Sequence, residues 1–375
     1  MMVMQKRRLG RTGLQVSVVG FGGIPIIALS RSQAAEVVRY AFERDISYFD
    51  TARAYGDSEE KIGAALKDVR DEVVIATKTH QKTKESAVRA GLKQSLRNLQ
   101  TDRIDLVQLH GIDSEEILRK ALGSEGSLAA LEDAKKQGKI DYIGLSGHNP
   151  YVLEKALKTG RFDAVLVPLN VLDRKAAEKL IPFANELDVG VVIMKPLGGC
   201  QGPLTYPQWG ARLLGKPEED WPDTSEFVAH FGREGLERAR RSLRFVLAHE
   251  IDTVIPGLRS VEQVDYAVEV AEGFEGLSAE EEKAYSFGKL PPEPFCRECQ
   301  LCKPCPDGVE IPTILKWDLY NTFYDIKKWT REQYPKLRTR ANSCTECGEC
   351  EEKCPYHLPV ISMLKQAEKR LNPTS

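Results

Sequence analysis

From Val16 to about Glu272, short β-rich apolar runs alternate with amphipathic, helix-favouring segments, and the alternation occurs eight times. The strand candidates are Val16–Gly22, Tyr48–Thr51, Val73–Thr77, Leu106–Leu109, Tyr142–Ser146, Ala164–Leu169, Val191–Met194 and Thr253–Ile255. Seven helix candidates fall between them, and an eighth near Val261–Glu272 closes the series. Such alternation demands parallel strands joined by crossover helices, and eight units is the number that closes into a barrel. The expected fold is therefore α/β, a (β/α)8 TIM barrel, and the 375 residues leave room for a small appended domain. An open doubly wound sheet is the rival; it typically has fewer strands and a glycine-rich phosphate loop after the first. Gly20 to Gly23 reads Gly-Phe-Gly-Gly, which lacks that spacing and predicts a tight turn at a strand end.

After Leu277 the pattern changes to a polar helix and then to Leu290-Pro291-Pro292-Glu293-Pro294. That break predicts two domains, 1–285 and 286–375. The stretch Gly198 to Gly235, rich in Gly, Pro and Trp, predicts a lid or substrate wall after the seventh strand. The 53 basic and 55 acidic residues leave a formal charge of -2, so no field favours nucleic acid or an anionic membrane. Apolar runs such as Val73–Thr77 and Val189–Met194 stop well short of the roughly 20 residues that cross a bilayer. Met1 to Leu14 carries charges and glycines where a secretory signal needs a continuous apolar stretch, so a cytoplasmic location is expected.

Loops leaving the C-terminal ends of barrel strands normally build the active site. Asp50 ends the second strand candidate, Lys78 follows the third, and His110 follows the fourth, with Tyr55 five residues beyond Asp50. Neighbouring strands would bring all four together. Reducing a carbonyl requires a hydride from one side and a proton delivered to the oxygen as charge develops on it. A tyrosine can supply that proton, and an adjacent ammonium favours its phenolate and brings the acid closer to working pH. Lys78 would be that ammonium, Asp50 its anchor, and His110 the group that orients the carbonyl oxygen beside the Tyr55 hydroxyl. Any one of these residues alone reads as an ordinary strand-end polar group; their joint placement makes the case.

On these residues the chain resembles the aldo-keto reductase family, whose motifs stand here as Asp50-Thr51-Ala52-Arg53-Ala54-Tyr55, Ala76-Thr77-Lys78 and Leu109-His110. The resemblance covers about residues 7 to 272 and includes Leu9-Gly10-Arg11-Thr12-Gly13-Leu14 and Gly144-Leu145-Ser146. It implies NADPH or NADH as cofactor, with Ser146 hydrogen-bonding the nicotinamide amide. It further implies cofactor contacts from Gly22, Gly147, Met194, Pro196, Leu197, Gly198 and Gly199, and from the segment Ile255-Pro256-Gly257 through Arg259 to Gln263. The chain departs from the family in having Gly147 where Asn is common, Leu166 where Gln is usual, and Met194 where an aromatic stacks on nicotinamide. Gln263 aligns with an Arg that grips the 2'-phosphate in many relatives, while Arg259 lies nearby and offers a charge-assisted contact, so the preferred nicotinamide stays open.

Eight of the nine cysteines lie in two runs, Cys296, Cys299, Cys302, Cys305 and Cys344, Cys347, Cys350, Cys354, followed by Pro306 and Pro355. Three thiolates at a stride of three wrap one face of a cubane, and the fourth ligand comes from a distant cysteine before a proline. Two [4Fe-4S] clusters are expected. Crossed ligation gives Cys296, Cys299, Cys302 with Cys354 and Cys344, Cys347, Cys350 with Cys305; pairing within each run is the alternative. Structural zinc competes, but its sites usually come as two separated pairs. Between the runs, Ile314, Leu315, Leu319, Phe323 and Ile326 recur at helical spacing, so the domain resembles the α-helical ferredoxins, and Leu358 to Leu371 predicts a closing helix. Cys200 reads as a lone loop thiol.

The leading expectation is an oxidoreductase that reduces an aldehyde or ketone, or oxidises the alcohol, with NAD(P)H. The competing one is an electron-transfer or redox-sensing iron–sulfur protein whose barrel binds nicotinamide without carbonyl turnover. Expected partners are a small carbonyl or alcohol substrate and a ferredoxin-type electron partner.

Overall fold

Eight strands, all parallel to their neighbours, stand side by side in a computed structural model of the chain: β3 (Phe21–Gly22), β4 (Tyr48–Asp50), β5 (Val74–Lys78), β6 (Ile104–Leu109), β7 (Ile140–Ser146), β8 (Ala164–Pro168), β9 (Gly190–Met194) and β10 (Thr253–Ile255). Sequence order is spatial order. Parallel bridges Val19 to Val254 and Gly22 to Gly257 join the first strand to the last, so the sheet closes on itself. One or more helices follow each strand, the last being Val261–Glu272, capped by the Ser260 hydroxyl, which accepts from the Gln263 backbone N–H. The structure describes residues 4–79, 85–171, 173–197, 217, 219, 235–285, 296, 301–323, 327–354 and 356–372. The chain divides into two compact units, Met1–Gly198 with Arg240–Tyr285 and Gly199–Ala239 with Ser286–Ser375.

Strand side chains alternate between two faces. The inward set forms one apolar cluster of Tyr48, Val74, Ala76, Leu106, Ala164, Leu166, Val192 and Ile255, all buried. The same face continues toward the C-terminal strand ends as Asp50, Lys78 and Gln108, two residues beyond Tyr48, Ala76 and Leu106. The core thus fixes which way these polar groups point.

The first strand candidate divides in two. Gln15–Ser17 (β2) pairs antiparallel with Lys6–Arg8 (β1), a hairpin that the sequence pattern had not separated from the barrel strand. Its turn carries Leu9 into the barrel core, and Gly10, at φ +44°, abuts the backbone of Gly190 at the start of β9. The Gly-Phe-Gly-Gly segment is not a turn, since Phe21–Gly22 is the first barrel strand itself. A Cβ on Gly20 would come within 2.9 Å of the Tyr48 carbonyl oxygen, and one on Gly22 within 2.7 Å of that of Pro256. Glycine serves there for close approach of strands.

At the N-terminal end, polar residues at the starts of alternate strands reach back to the strand before. Asp105 Oδ2 accepts from the Ile75 N–H at 2.8 Å, Asp163 Oδ2 from Ile143 at 3.0 Å, and Asp252 Oδ2 from Val191 at 2.8 Å. Ser47 and Ser17 exchange the same kind of bond, each hydroxyl accepting the other's N–H at 2.9 Å.

In the second unit, helices Ile311–Phe323, Lys327–Gln333 and Val360–Leu371 surround a core of Val309, Ile314, Leu315, Tyr334, Met363 and Leu364. A partly buried bidentate pair, Arg370 Nε and Nη2 to Asp318 at 2.8 and 2.6 Å, ties the first of these helices to the last. Cys200, Ile326 and the proline-rich break at 290–294 lie outside the described residues, as does nearly all of the Gly198 to Gly235 stretch.

Candidate functional site

At the C-terminal mouth, the Lys78 ammonium pairs with Asp50 Oδ1 and donates to the Thr51 carbonyl oxygen at 2.8 Å. Gln108 Nε2 donates to the other Asp50 oxygen at 3.1 Å. Asp50 and Lys78 are buried, at 2% and 1% exposure, whereas Tyr55 and His110 are partly exposed. The Lys78 nitrogen lies 5.0 Å from the Tyr55 ring centroid, and the Tyr55 and His110 rings meet edge to face at 5.9 Å. The structure therefore gathers the four residues, with the ion pair inside and the two rings facing outward.

Burial pushes the Asp50 carboxyl up and the Lys78 amine down, since desolvation penalises both charged forms; their mutual attraction and hydrogen bonds oppose it. An ammonium held this way sits closer to losing its proton than a surface lysine.

Ser146 ends β7, with its hydroxyl donating to the Leu109 carbonyl oxygen at 3.2 Å and accepting from the Gly111 N–H at 3.4 Å. Gly147 has no room for a side chain: a Cβ would fall 2.7 Å from the Ile112 oxygen and 2.9 Å from Asp113 Oδ1. Leu166 is in the barrel core, and Met194 is half-buried against it. Gly22 and Gly257 face each other across the closing bridge, and Pro196 and Leu197 are buried just after β9. Gln263 Oε1 accepts from the Arg259 N–H at 3.0 Å, so this side chain helps to shape the helix start. Ser146, Gly147, Met194, Pro196, Leu197 and Gly257 stand at the C-terminal ends of β7, β9 and β10, the same end of the strands as Asp50 and Lys78, and the twelve-residue helix Val261–Glu272 starts just after the segment that carries Arg259. Such an end suits a phosphate. Gly198 and Gly199 lie outside the described residues.

Four polar residues were missed. Gln108 shares the inward face with Leu106, and that period of two was the signal that should have found it. Glu59, 1% exposed, accepts from Thr77 Oγ1 at 2.8 Å and Asn98 Nδ2 at 3.1 Å, and pairs with Arg53. Asp113, 3% exposed, accepts the His148 backbone N–H and faces His148 Nδ1 at 3.4 Å. This second pair joins the loops that follow β6 and β7.

In the other unit, Cys302, Cys305, Cys344, Cys347 and Cys350 line one small cavity, open in part to solvent, with Ile311, Ile361 and Leu364 among its apolar walls. Cys305 thus shares a cavity with the three cysteines of the second run. The Glu346 N–H donates to Cys344 Sγ at 3.4 Å, and Asp307 accepts from the Thr345 N–H and hydroxyl at 3.1 and 2.7 Å, linking the two runs. Burial, Glu351 and the neighbouring thiols push Cys350 up to about 11. Several soft donors around an apolar hollow fit an iron–sulfur cube. Cys354 is buried, Cys296 packs against the same core, and none of the seven described cysteines is in a disulfide. Cys299 and Pro355 lie outside the described residues.

Comparison with known proteins matches residues 18–284 to the aldo/keto reductase family and residues 295–359 to a 4Fe-4S dicluster domain. L-galactose dehydrogenase of Arabidopsis thaliana is 31% identical over 299 residues, covering 74% of this chain and 91% of the relative. An uncharacterized oxidoreductase of Bacillus subtilis, YqkF, is 27% identical over 302 residues, covering 75% of this chain and 95% of the relative. Among solved structures, the holo form of aldo-keto reductase AKR11C1 from Bacillus halodurans is similar with a TM-score of 0.60 and 30% identity, covering 75% of this chain and 95% of that one. An aldo-keto reductase from Klebsiella pneumoniae in complex with NADPH shares the fold, with a TM-score of 0.58 and 22% identity over 76% of this chain and 94% of that one. Among the described residues, no helix is long and apolar enough to cross a membrane.

Proposed function

Since this chain belongs to the aldo/keto reductase family and carries a 4Fe-4S dicluster domain, we propose that it reduces a small aldehyde or ketone, or oxidises the corresponding alcohol, with NADPH or NADH. The observation that carries this reading is the buried Lys78 ammonium, held by Asp50 and the Thr51 carbonyl oxygen and set 5.0 Å from the Tyr55 ring. A nicotinamide bound at these strand ends would supply the hydride for the carbonyl carbon. Tyr55 delivers a proton from its hydroxyl to the carbonyl oxygen, and Lys78 stabilises the phenolate left behind. Asp50 and Gln108 keep Lys78 in one place, and His110, edge-on to Tyr55, orients the substrate oxygen. Ser146 and Met194 would border the nicotinamide, with Gly257, Arg259 and Gln263 toward the phosphates and adenosine end and Gly22 a further contact. Ser146 would turn its hydroxyl from the Leu109 oxygen to the carboxamide.

Residues 1–285 would form the catalytic domain and 286–375 the iron–sulfur domain, with two [4Fe-4S] clusters. Cys305 and Cys302 both line the cavity with Cys344, Cys347 and Cys350; the presence of Cys305 there supports crossed ligation for one cluster, with Cys296, Cys299, Cys302 and Cys354 for the other, and pairing within each run is the alternative. Cys347 is exposed, which suits one-electron exchange with a ferredoxin-type partner.

Tyr55→Phe is expected to lower kcat by about 10²- to 10⁴-fold while NADPH binding, followed by fluorescence titration, stays within twofold of wild type. Full turnover by that variant on a panel of aldehydes and ketones would remove Tyr55 from its role. Anaerobic iron analysis should return roughly eight iron atoms per chain.

A further inference from the structure

We propose that Glu59 is a positioning residue of the carbonyl-reducing site, tying the loop that bears Tyr55 to the strand that bears Lys78 and so setting the relation of proton donor to ammonium. The inference rests on the reduction reading above. Glu59 lies in the first turn of helix Ser58–Leu66 and is buried, where a carboxylate is stable only if its oxygens are fully engaged. Its three donors come from three different elements. Thr77 on β5 gives its hydroxyl to Oε1 at 2.8 Å, Asn98 at the end of helix Glu85–Asn98 gives its amide to Oε2 at 3.1 Å, and Arg53 in the loop after β4 pairs with Oε2.

Two of those donors flank the reacting groups. Thr77 precedes Lys78, and because strand side chains alternate, Lys78 enters the barrel while Thr77 faces Glu59 behind it. Arg53 stands two residues before Tyr55, and its backbone N–H donates to the Lys78 carbonyl oxygen at 3.1 Å. The loop is therefore clamped to β5 at both backbone and side-chain level, and Glu59 supplies the side-chain clamp. A purely structural join needs no charge, since an amide or apolar filling serves as well. What the carboxylate adds is an anion close to Lys78. Among the described residues, the charged and titratable groups around this ammonium are Asp50 on β4, Glu59 on its helix behind Thr77, Tyr55, His110 against the Tyr55 ring and, beyond Glu59, Arg53; the two carboxylates face the two cations. Losing Glu59 would leave Arg53 and Lys78 facing a single anion.

The test compares Glu59→Gln, Glu59→Asp and Thr77→Val with wild type, reading kcat and KM for a carbonyl substrate across pH, together with the Lys78 ammonium titration by NMR. Glu59→Gln is expected to lower kcat about 10- to 100-fold, with KM within about threefold, as a displaced donor would. The alkaline fall in kcat should move to lower pH, because an ammonium deprived of a neighbouring anion loses its proton more readily. Thr77→Val, which removes only the hydroxyl bond, should act in the same direction to a smaller extent, and Glu59→Asp should recover part of the loss. A folded Glu59→Gln enzyme with wild-type kcat and an unmoved alkaline limb overturns the proposal. Should that variant not fold, an unchanged Thr77→Val enzyme does so. Wild-type protein without carbonyl turnover counts against the reduction reading instead, and the Lys78 titration then decides: an identical midpoint in wild type and Glu59→Gln rejects the role of Glu59.

Discussion

The two ends of the barrel engage carboxylates differently. At the N-terminal end, Asp105, Asp163 and Asp252 each accept a backbone N–H of the preceding strand, and Asp105 and Asp163 also pair with Arg70 and Lys135. At the C-terminal end, the donors to Asp50 and Glu59 among the described residues are all side chains. Asp113 is intermediate, since it takes one backbone N–H and faces an imidazole. A backbone amide has no protonation choice, so a carboxylate bound to it is committed to the fold. A carboxylate at the mouth, held by side chains with no backbone amide bound among the described residues, belongs to a unit that can exchange protons with whatever enters there. Position along the barrel axis thus separates charges that hold strands in register from charges available for chemistry.

Substituting one member at each end sharpens that contrast. Lys78→Met should have the largest effect: kcat falls at least about 10²-fold, and stability falls by about 3–5 kcal/mol because Asp50 is left buried without its cation. Adding Asp50→Asn should restore the melting temperature but not turnover. A single variant as stable as wild type would break the claim that this pair is mutually dependent. Next in size, Asp105→Ala strips the acceptor from the Ile75 N–H and from Arg70, with an expected loss of about 1–3 kcal/mol while kcat stays within twofold. A large kcat change there would show that the ends are not separable.

The smallest effect is a dependence on pH. Burial raises Asp252 above the ordinary carboxylate range despite its bonds to the Val191 and Gly10 N–H groups. The folded state therefore holds this proton more tightly than the unfolded chain. The contribution of Asp252 to stability is greatest below the unfolded value of about 4 and declines as pH rises through the folded value. Urea unfolding of wild type and Asp252→Asn at pH 4 and 7 should show the wild type relatively more stable at the lower pH. The reverse order would mean that the backbone bonds outweigh burial.

Much of the fold was legible because it rests on a period. Inward residues recur every second position, so the apolar cluster predicts where Asp50 and Lys78 point, and it predicted Gln108 equally well had the pattern been followed two residues past Leu106. The split of Val16–Gly22 was not legible, since apolar content alone does not reveal that Ser17 turns to Ser47 while Phe21 and Gly22 join the barrel. Glu59 reads in sequence as one of two acids at an ordinary helix start, Ser58-Glu59-Glu60. Only the approach of Thr77, Asn98 and Arg53 from elsewhere in the chain distinguishes it from its neighbour. Asp113 and His148 lie 35 residues apart and meet only because β6 and β7 are adjacent.

The polar clasps at the N-terminal end carry a consequence for how the barrel assembles. Each one secures a strand to the segment synthesised just before it, so a growing chain gains stable ribbons step by step without waiting for the ring to shut. Among the described residues, the seam between β3 and β10 carries none of these clasps and is held by backbone bonds around Val19 and Gly22. It joins the first strand to the last, so it is the last junction that can form, and its amides should exchange with solvent ahead of those at the clasped junctions.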